Sequence, residues 1–148
     1  TVSSNIYEKM LMQINPRFKV ISSACPLFVP LVEEGLTHAP VAREVAQMYL
    51  KPLRDNRVDT VILGCTHYPI IKSVIRKVMG DEVTLIDSAK QVALEIKNIL
   101  TVDRMLKKGS GGKRSFYVSD NPEWFSGLAR TFLGKPITNA KKVEQCSL

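Results

Sequence analysis

The chain predicts an α/β fold with a largely parallel sheet. Two observations carry that expectation. Short apolar strands such as Asp59 to Leu63 and Val83 to Ile86 alternate with helical patterns of about ten residues or more. Three strand candidates also end in polar or reactive residues, at Ser23-Ala24-Cys25, Gly64-Cys65-Thr66-His67 and Asp87-Ser88. In a parallel sheet those ends point one way and converge on one edge, just where open α/β sheets place their ligands.

Each element has a local reason. Ile6, Tyr7, Met10, Leu11 and Ile14 recur at helical spacing, so residues 3–15 read as an amphipathic helix stopped by Pro16. Phe18 to Ser23 reads as a short strand and Leu27 to Glu34 as a helical turn closed by Gly35. A longer helix starts with Pro40 at its first position and runs to Asp55. The strand Asp59 to Leu63 then feeds the cysteine loop, and Pro69 opens a helix reaching about Gly80. Val83 to Ile86 is the next buried strand. Asp87-Ser88 caps a helix that carries Val92, Ile96, Ile99, Leu100 and Leu106. Ser115 to Val118 is a further strand and Pro122 to Leu133 a last helix; from Gly134 on there is no strong periodicity. The segment after the glycine turn is longer than a three-strand sheet needs, which suggests a neighbouring sheet.

Composition bounds the function. A chain of 148 residues can bury roughly 70% of its unfolded surface as one domain. No apolar run reaches the ~18 residues of a membrane span, and no signal-peptide pattern is present. Cys25, Cys65 and Cys146 lie far apart without a C-x-x-C pair, which argues for a reducing, cytoplasmic setting rather than a disulfide framework. The net charge of +7 collects around Arg104, Lys107, Lys108, Lys113 and Arg114, flanking Gly109-Ser110-Gly111-Gly112. A solvated basic turn explains this better than a nucleic-acid surface. A start at Thr1, already inside a helical pattern, suggests a fragment of something longer.

The chemistry concentrates in Gly64-Cys65-Thr66-His67-Tyr68-Pro69. A thiol and an imidazole two residues apart share one face of an extended loop, so His67 can polarise the thiol or a bound substrate. A following helix would add positive potential favourable to a thiolate and to a carboxylate. Thr66 offers a hydroxyl and a backbone N–H. The competing readings are a packed thiol and a histidine that caps backbone. Glu33 and Glu34 alone read as surface carboxylates, Cys25 as structural, His38 as a loop residue, and Cys146 has no assigned role. A C-x5-R phosphatase loop would need arginine where Ile71 stands. Zinc-ligand spacing, nucleotide-binding glycine loops and the serine-hydrolase elbow are all missing, so neither metal nor cofactor is expected.

Leu63-Gly64-Cys65-Thr66-His67-Tyr68-Pro69 resembles the C-terminal cysteine signature of the bacterial glutamate racemases. The stretch from Ala24 to Gly35, Ile86-Asp87-Ser88-Ala89, and Phe116 to Pro122 resemble further segments of that family. The resemblance implies a parallel-sheet three-layer sandwich, the flavodoxin-like half of a two-domain racemase. Residues 1–108 would form a C-terminal-type domain with the Cys65 loop. Residues 109–148 would be a final strand, helix and tail packing on an N-terminal domain. The implied reaction is cofactor-independent interconversion of L- and D-glutamate by two thiols, the D-isomer serving peptidoglycan and so cell-wall biogenesis and cell shape. By the same resemblance Cys65 is the base toward L-glutamate, His67 assists it, and Glu33 (from Val-Glu-x-Gly) is acidic on that side. Thr66, His67 and, more weakly, Thr1 would bind substrate. The second cysteine and its Asn-Thr neighbours have no counterpart here, since the Ala-Cys-Pro-Leu context of Cys25 belongs to the C-terminal half. The expectation is therefore a chain inactive alone, whose partners are glutamate, the N-terminal domain and, through exposed apolar segments 3–15 and 115–133, a second copy. The alternative is a non-catalytic α/β module that binds a small acidic ligand or a protein.

Overall fold

A computed structural model describes residues 2–109 and 111–143. The elements run α1 (Ile6–Ile14), α2 (Phe28–Glu33), a 3-10 turn (Leu36–His38), α3 (Pro40–Asp55), β1 (Thr60–Leu63), α4 (Lys72–Met79), β2 (Thr84–Asp87), α5 (Ser88–Val102), β3 (Phe116–Val118), α6 (Pro122–Leu133) and β4 (Ala140–Lys142). The chain is α/β with parallel strand pairing, as expected. It divides into two compact units, Thr1–Asn98 and Ile99–Leu148, with the division inside α5.

In the first unit β1 and β2 pair in parallel, Thr60 opposite Thr84 through Leu63 opposite Asp87. The α3–α4 pair supplies most of the core. Ala42 and Ala46 are fully buried one turn apart, and Leu50 and Leu53 continue that face. Alanines at i and i+4 leave room for a neighbouring helix to approach closely, and α4 does so, burying Val74, Ile75, Val78 and Met79. Phe28 and Val32 of α2 complete this core. By contrast, α1 buries no residue, and Val92, Leu94 and Ile96 of α5 are exposed.

In the second unit β3 and β4 pair in parallel, Phe116 opposite Ala140 and Val118 opposite Lys142. Asn121 caps α6 by accepting the Trp124 N–H at 2.9 Å, with Pro122 following it. Phe116 and Phe125 face each other at 6.5 Å, and Ala129 and Ile137 are buried.

Four sequence expectations need correction. Residues 18–23 form no strand: the segment has no ladder partner among the described residues, and a strand is defined by pairing. The helix expected from Pro69 begins three residues later, at Lys72. The N–H groups of Tyr68 and Ile70 bond first to the carbonyls of Cys65 and His67, at 3.2 and 3.1 Å, so residues 65–71 close as successive turns. Leu106 lies beyond α5, which ends where Arg104 turns to φ 57°. Finally, the tail after Gly134 contains β4, which its sequence pattern does not announce.

Candidate active site

The loop leaving β1 carries Cys65, Thr66 and His67, and α2 brings Glu33 to it from 34 residues away. His67 Nε2 lies 3.2 Å from Glu33 Oε1, and both side chains are about three-quarters buried. On the other edge of the ring, Nδ1 lies 3.4 Å from Thr66 Oγ1 and 3.9 Å from Cys65 Sγ. The four residues thus form a row: thiol and hydroxyl, imidazole, carboxylate. With the carboxylate ionised, Nε2 carries the ring proton and donates it to Glu33, leaving the Nδ1 lone pair toward Cys65 and Thr66. That arrangement suits removal of a proton from the thiol. Glu34, next to Glu33, is exposed and stands at the C-cap of α2.

The floor of the loop is built by Tyr68, Cys25 and Phe28. Tyr68 donates its hydroxyl to the Cys25 carbonyl at 3.3 Å and meets the Phe28 ring edge-on at 5.3 Å. Burial, then the nearby Cys25 and Cys65, push its phenol up to about 12. Cys25 is buried, and desolvation raises its thiol pKa against the lowering effect of bonds to Ser23 and Tyr68. It is a neutral packing thiol, poorly suited to act as a base. Gly64 lets a neighbour come close: a Cβ there would stand 3.3 Å from the ring of Tyr7, which α1 lays over the loop. In the sequence Tyr7 is only one member of an apolar helix face. Its one sequence signal is the missing side chain at position 64.

Three further features bound the chemistry. The later start of α4 puts its N-cap at Ile71, six residues past Cys65. The macrodipole falls off within the first turn, so the helix contribution expected at Cys65 is withdrawn. Ser88, at the start of α5, donates to the Leu63 carbonyl at 3.2 Å, and Asp87 accepts the Lys90 N–H at 3.1 Å, so the ends of β1 and β2 do meet. A cavity of about 520 Å³ is lined by Thr37, Arg43, Ser73 and Lys77, among others, and not by Cys65 or His67. Among the described residues no group of three or more His, Cys, Asp or Glu could hold a metal ion, and no helix is long and apolar enough to cross a membrane. Thr1, expected near the substrate, lies outside the described residues.

No family model matches the chain. It is 43% identical over 144 residues to a glutamate racemase of Geobacter metallireducens, and 40% identical over 144 residues to one of a Thermoanaerobacter species. These matches cover 97% of the chain and 53% and 54% of those proteins. Among solved structures, a glutamate racemase isoform of Bacillus anthracis superposes with a TM-score of 0.88 at 35% identity. A Francisella tularensis glutamate racemase, in complex with D-glutamate, does so at 0.87 and 34%. Each structural match covers 97% of this chain and 54% of the other. The chain therefore spans about half the length of the relatives it matches. Sequence and structure agree: the chain's homologues are glutamate racemases, and it matches their C-terminal half.

Proposed function

We propose that the chain is the C-terminal part of a cofactor-independent racemase that interconverts L- and D-glutamate in the cytoplasm and supplies D-glutamate for peptidoglycan. The observation that carries this reading is the row from Cys65 through His67 to Glu33. The D-glutamate bound by the Francisella relative supports the substrate.

In the proposed reaction His67 Nδ1 takes the Cys65 proton, and Glu33 stabilises the imidazolium through Nε2–H. The Cys65 thiolate then removes the α-proton of L-glutamate; an S–H bond forms, and the C–H electron pair stays on carbon. A thiol on the opposite face gives its proton to that carbon, closing a new C–H bond and leaving a thiolate. Thr66 and His67 bind the substrate. The carbanion needs a preorganised, water-excluding site. The opposite thiol and the cover over Cys65 fall to an N-terminal domain, on which residues 109–148 pack. The chain alone is then inactive, because one base cannot serve two faces of one carbon.

The test is α-proton exchange of L- and D-glutamate in D2O, followed by NMR, with this chain alone and after mixing with a separately made N-terminal half of a relative. The expected result is exchange only on mixing, reduced about 10²–10⁴-fold by Cys65→Ala. Turnover by the chain alone, free of host enzyme, overturns its inactivity. Exchange that survives Cys65→Ala overturns the site. A complex verified by sedimentation that exchanges nothing favours the non-catalytic module.

A further inference from the structure

Residues 65–71 are turns, not the first turn of a helix, so something other than helical hydrogen bonding must hold His67 in place. The His67–Glu33 pair cannot do so alone. It retains 21% and 30% exposure, and a partly solvated polar contact is screened by water and opposed by side-chain entropy. The stronger tether is one residue on. Tyr68 reaches α2 and the segment that leads into it: its ring meets Phe28 at an interplanar angle of 83°, and its hydroxyl donates to the carbonyl of Cys25, three residues before that helix. Phe28 is only 1% exposed and also packs edge-on against Tyr49 of α3, at 5.7 Å. The floor beneath is sewn on the same side, since Ser23 donates to the Tyr49 carbonyl at 2.7 Å.

We infer that Tyr68 is a positioning residue, whose ring on α2 and hydroxyl on the Cys25 carbonyl just before it lock the cysteine turn to the segment carrying Glu33 and thereby set the His67–Glu33 contact. The inference rests on the proposed role of the Cys65–His67–Glu33 row. A neutral phenol is the donor this requires, and burial keeps Tyr68 neutral across the physiological range. The Tyr68 hydroxyl bonds to backbone, at the Cys25 carbonyl. It acts by fixing the spacing between two elements, one carrying the imidazole and the other its carboxylate.

The test needs no turnover, so it stands apart from the racemase reading. The full chain, labelled with 15N, gives imidazole nitrogen correlation spectra in which His38, exposed on the 3-10 turn, is the internal reference. Tyr68→Phe keeps the ring and removes only the hydroxyl. The expected result is a displaced His67 Nε2 resonance, an unmoved His38, and no further displacement when Tyr68→Phe is added to Glu33→Gln. An unmoved His67 in folded Tyr68→Phe overturns the inference, as does a displacement of equal size in the Glu33→Gln background, which would mark a merely structural effect. If Tyr68→Phe does not fold, 3-fluorotyrosine at position 68 serves instead. Its 19F resonance must move on Glu33→Gln, and a fixed resonance overturns the inference. Should this coupling hold while the reassembled enzyme fails to exchange glutamate, the racemase reading falls and the positioning role stands.

Discussion

Helices α1 and α3 carry the same kind of apolar stripe and meet opposite fates. In α3 the stripe of Ala42, Ala46, Leu50 and Leu53 is buried against neighbouring elements. In α1 the stripe of Ile6, Met10 and Ile14 remains exposed, Ile14 to 76%. Helical periodicity states which face is apolar and says nothing of what covers it. For α3 the cover is α4, 17 residues further along the chain. For α1 the described residues provide none, apart from the Tyr7 ring over Gly64. Under the proposed function the missing cover is the N-terminal half, or a second copy of the chain in its absence.

The comparison breaks most sharply by truncation. Leu50→Ala should cost about 2–5 kcal/mol in urea denaturation, through lost burial and the cavity left behind. Met10→Ala, on the exposed face of α1, should stay within about 0.5 kcal/mol. Equal costs would mean that α1 is packed in solution. If the N-terminal half does cover α1, Met10→Ala should instead weaken reassembly of the mixed halves.

The second unit sharpens the contrast at smaller scale. Helix α6 buries only Ala129, so its N-terminal cap is a large part of its local stability. Asn121→Ala should cost about 1 kcal/mol, read as faster hydrogen exchange of the α6 amides, with those of α3 unchanged.

The smallest expected effect lies on the alkaline side of the first unit's core. Tyr68 holds its proton more tightly folded than unfolded, at about 12 against 10.0. Its contribution is present in full below pH 10 and is lost as pH rises from 10 toward 12. Tyr68→Phe lacks that loss, so its stability should fall less steeply over the window. Cys25, raised above 9.0, adds a decline in the same direction that the variant retains. Parallel urea midpoints across this window for the two proteins would show that the phenol titrates alike in both states.

Much of the local structure is legible in the chain. Pro40 and the Asn121-Pro122 pair mark helix starts that the structure reproduces, and Gly35, Gly80 and Gly134 take positive φ angles at or just past helix ends. Cys65, Thr66 and His67 are visible as a group because three neighbours in one loop need no tertiary contact to be near. Glu33 is different. From its surroundings it reads as one of two surface carboxylates, and only the resemblance to a family singles it out. Phe18 to Ser23 looks like a strand and is unpaired, whereas Ala140-Lys141-Lys142 looks like nothing and pairs with β3. Strand identity belongs to the pair, and a pattern in one segment cannot supply its partner.

By itself, then, the sequence determined the α/β class, the helix starts at Pro40 and Pro122, and the reactive loop. Caps, proline and glycine act through dihedral angles and hydrogen bonds within a turn or two, so their effect is written where they stand. The tertiary structure alone decided that α3 is covered and α1 bare, that the cysteine loop closes as turns, and that Tyr68 joins it to α2 beside the His67–Glu33 pair. Those outcomes depend on which distant surfaces exclude water from each other, and that is a property of the whole folded chain.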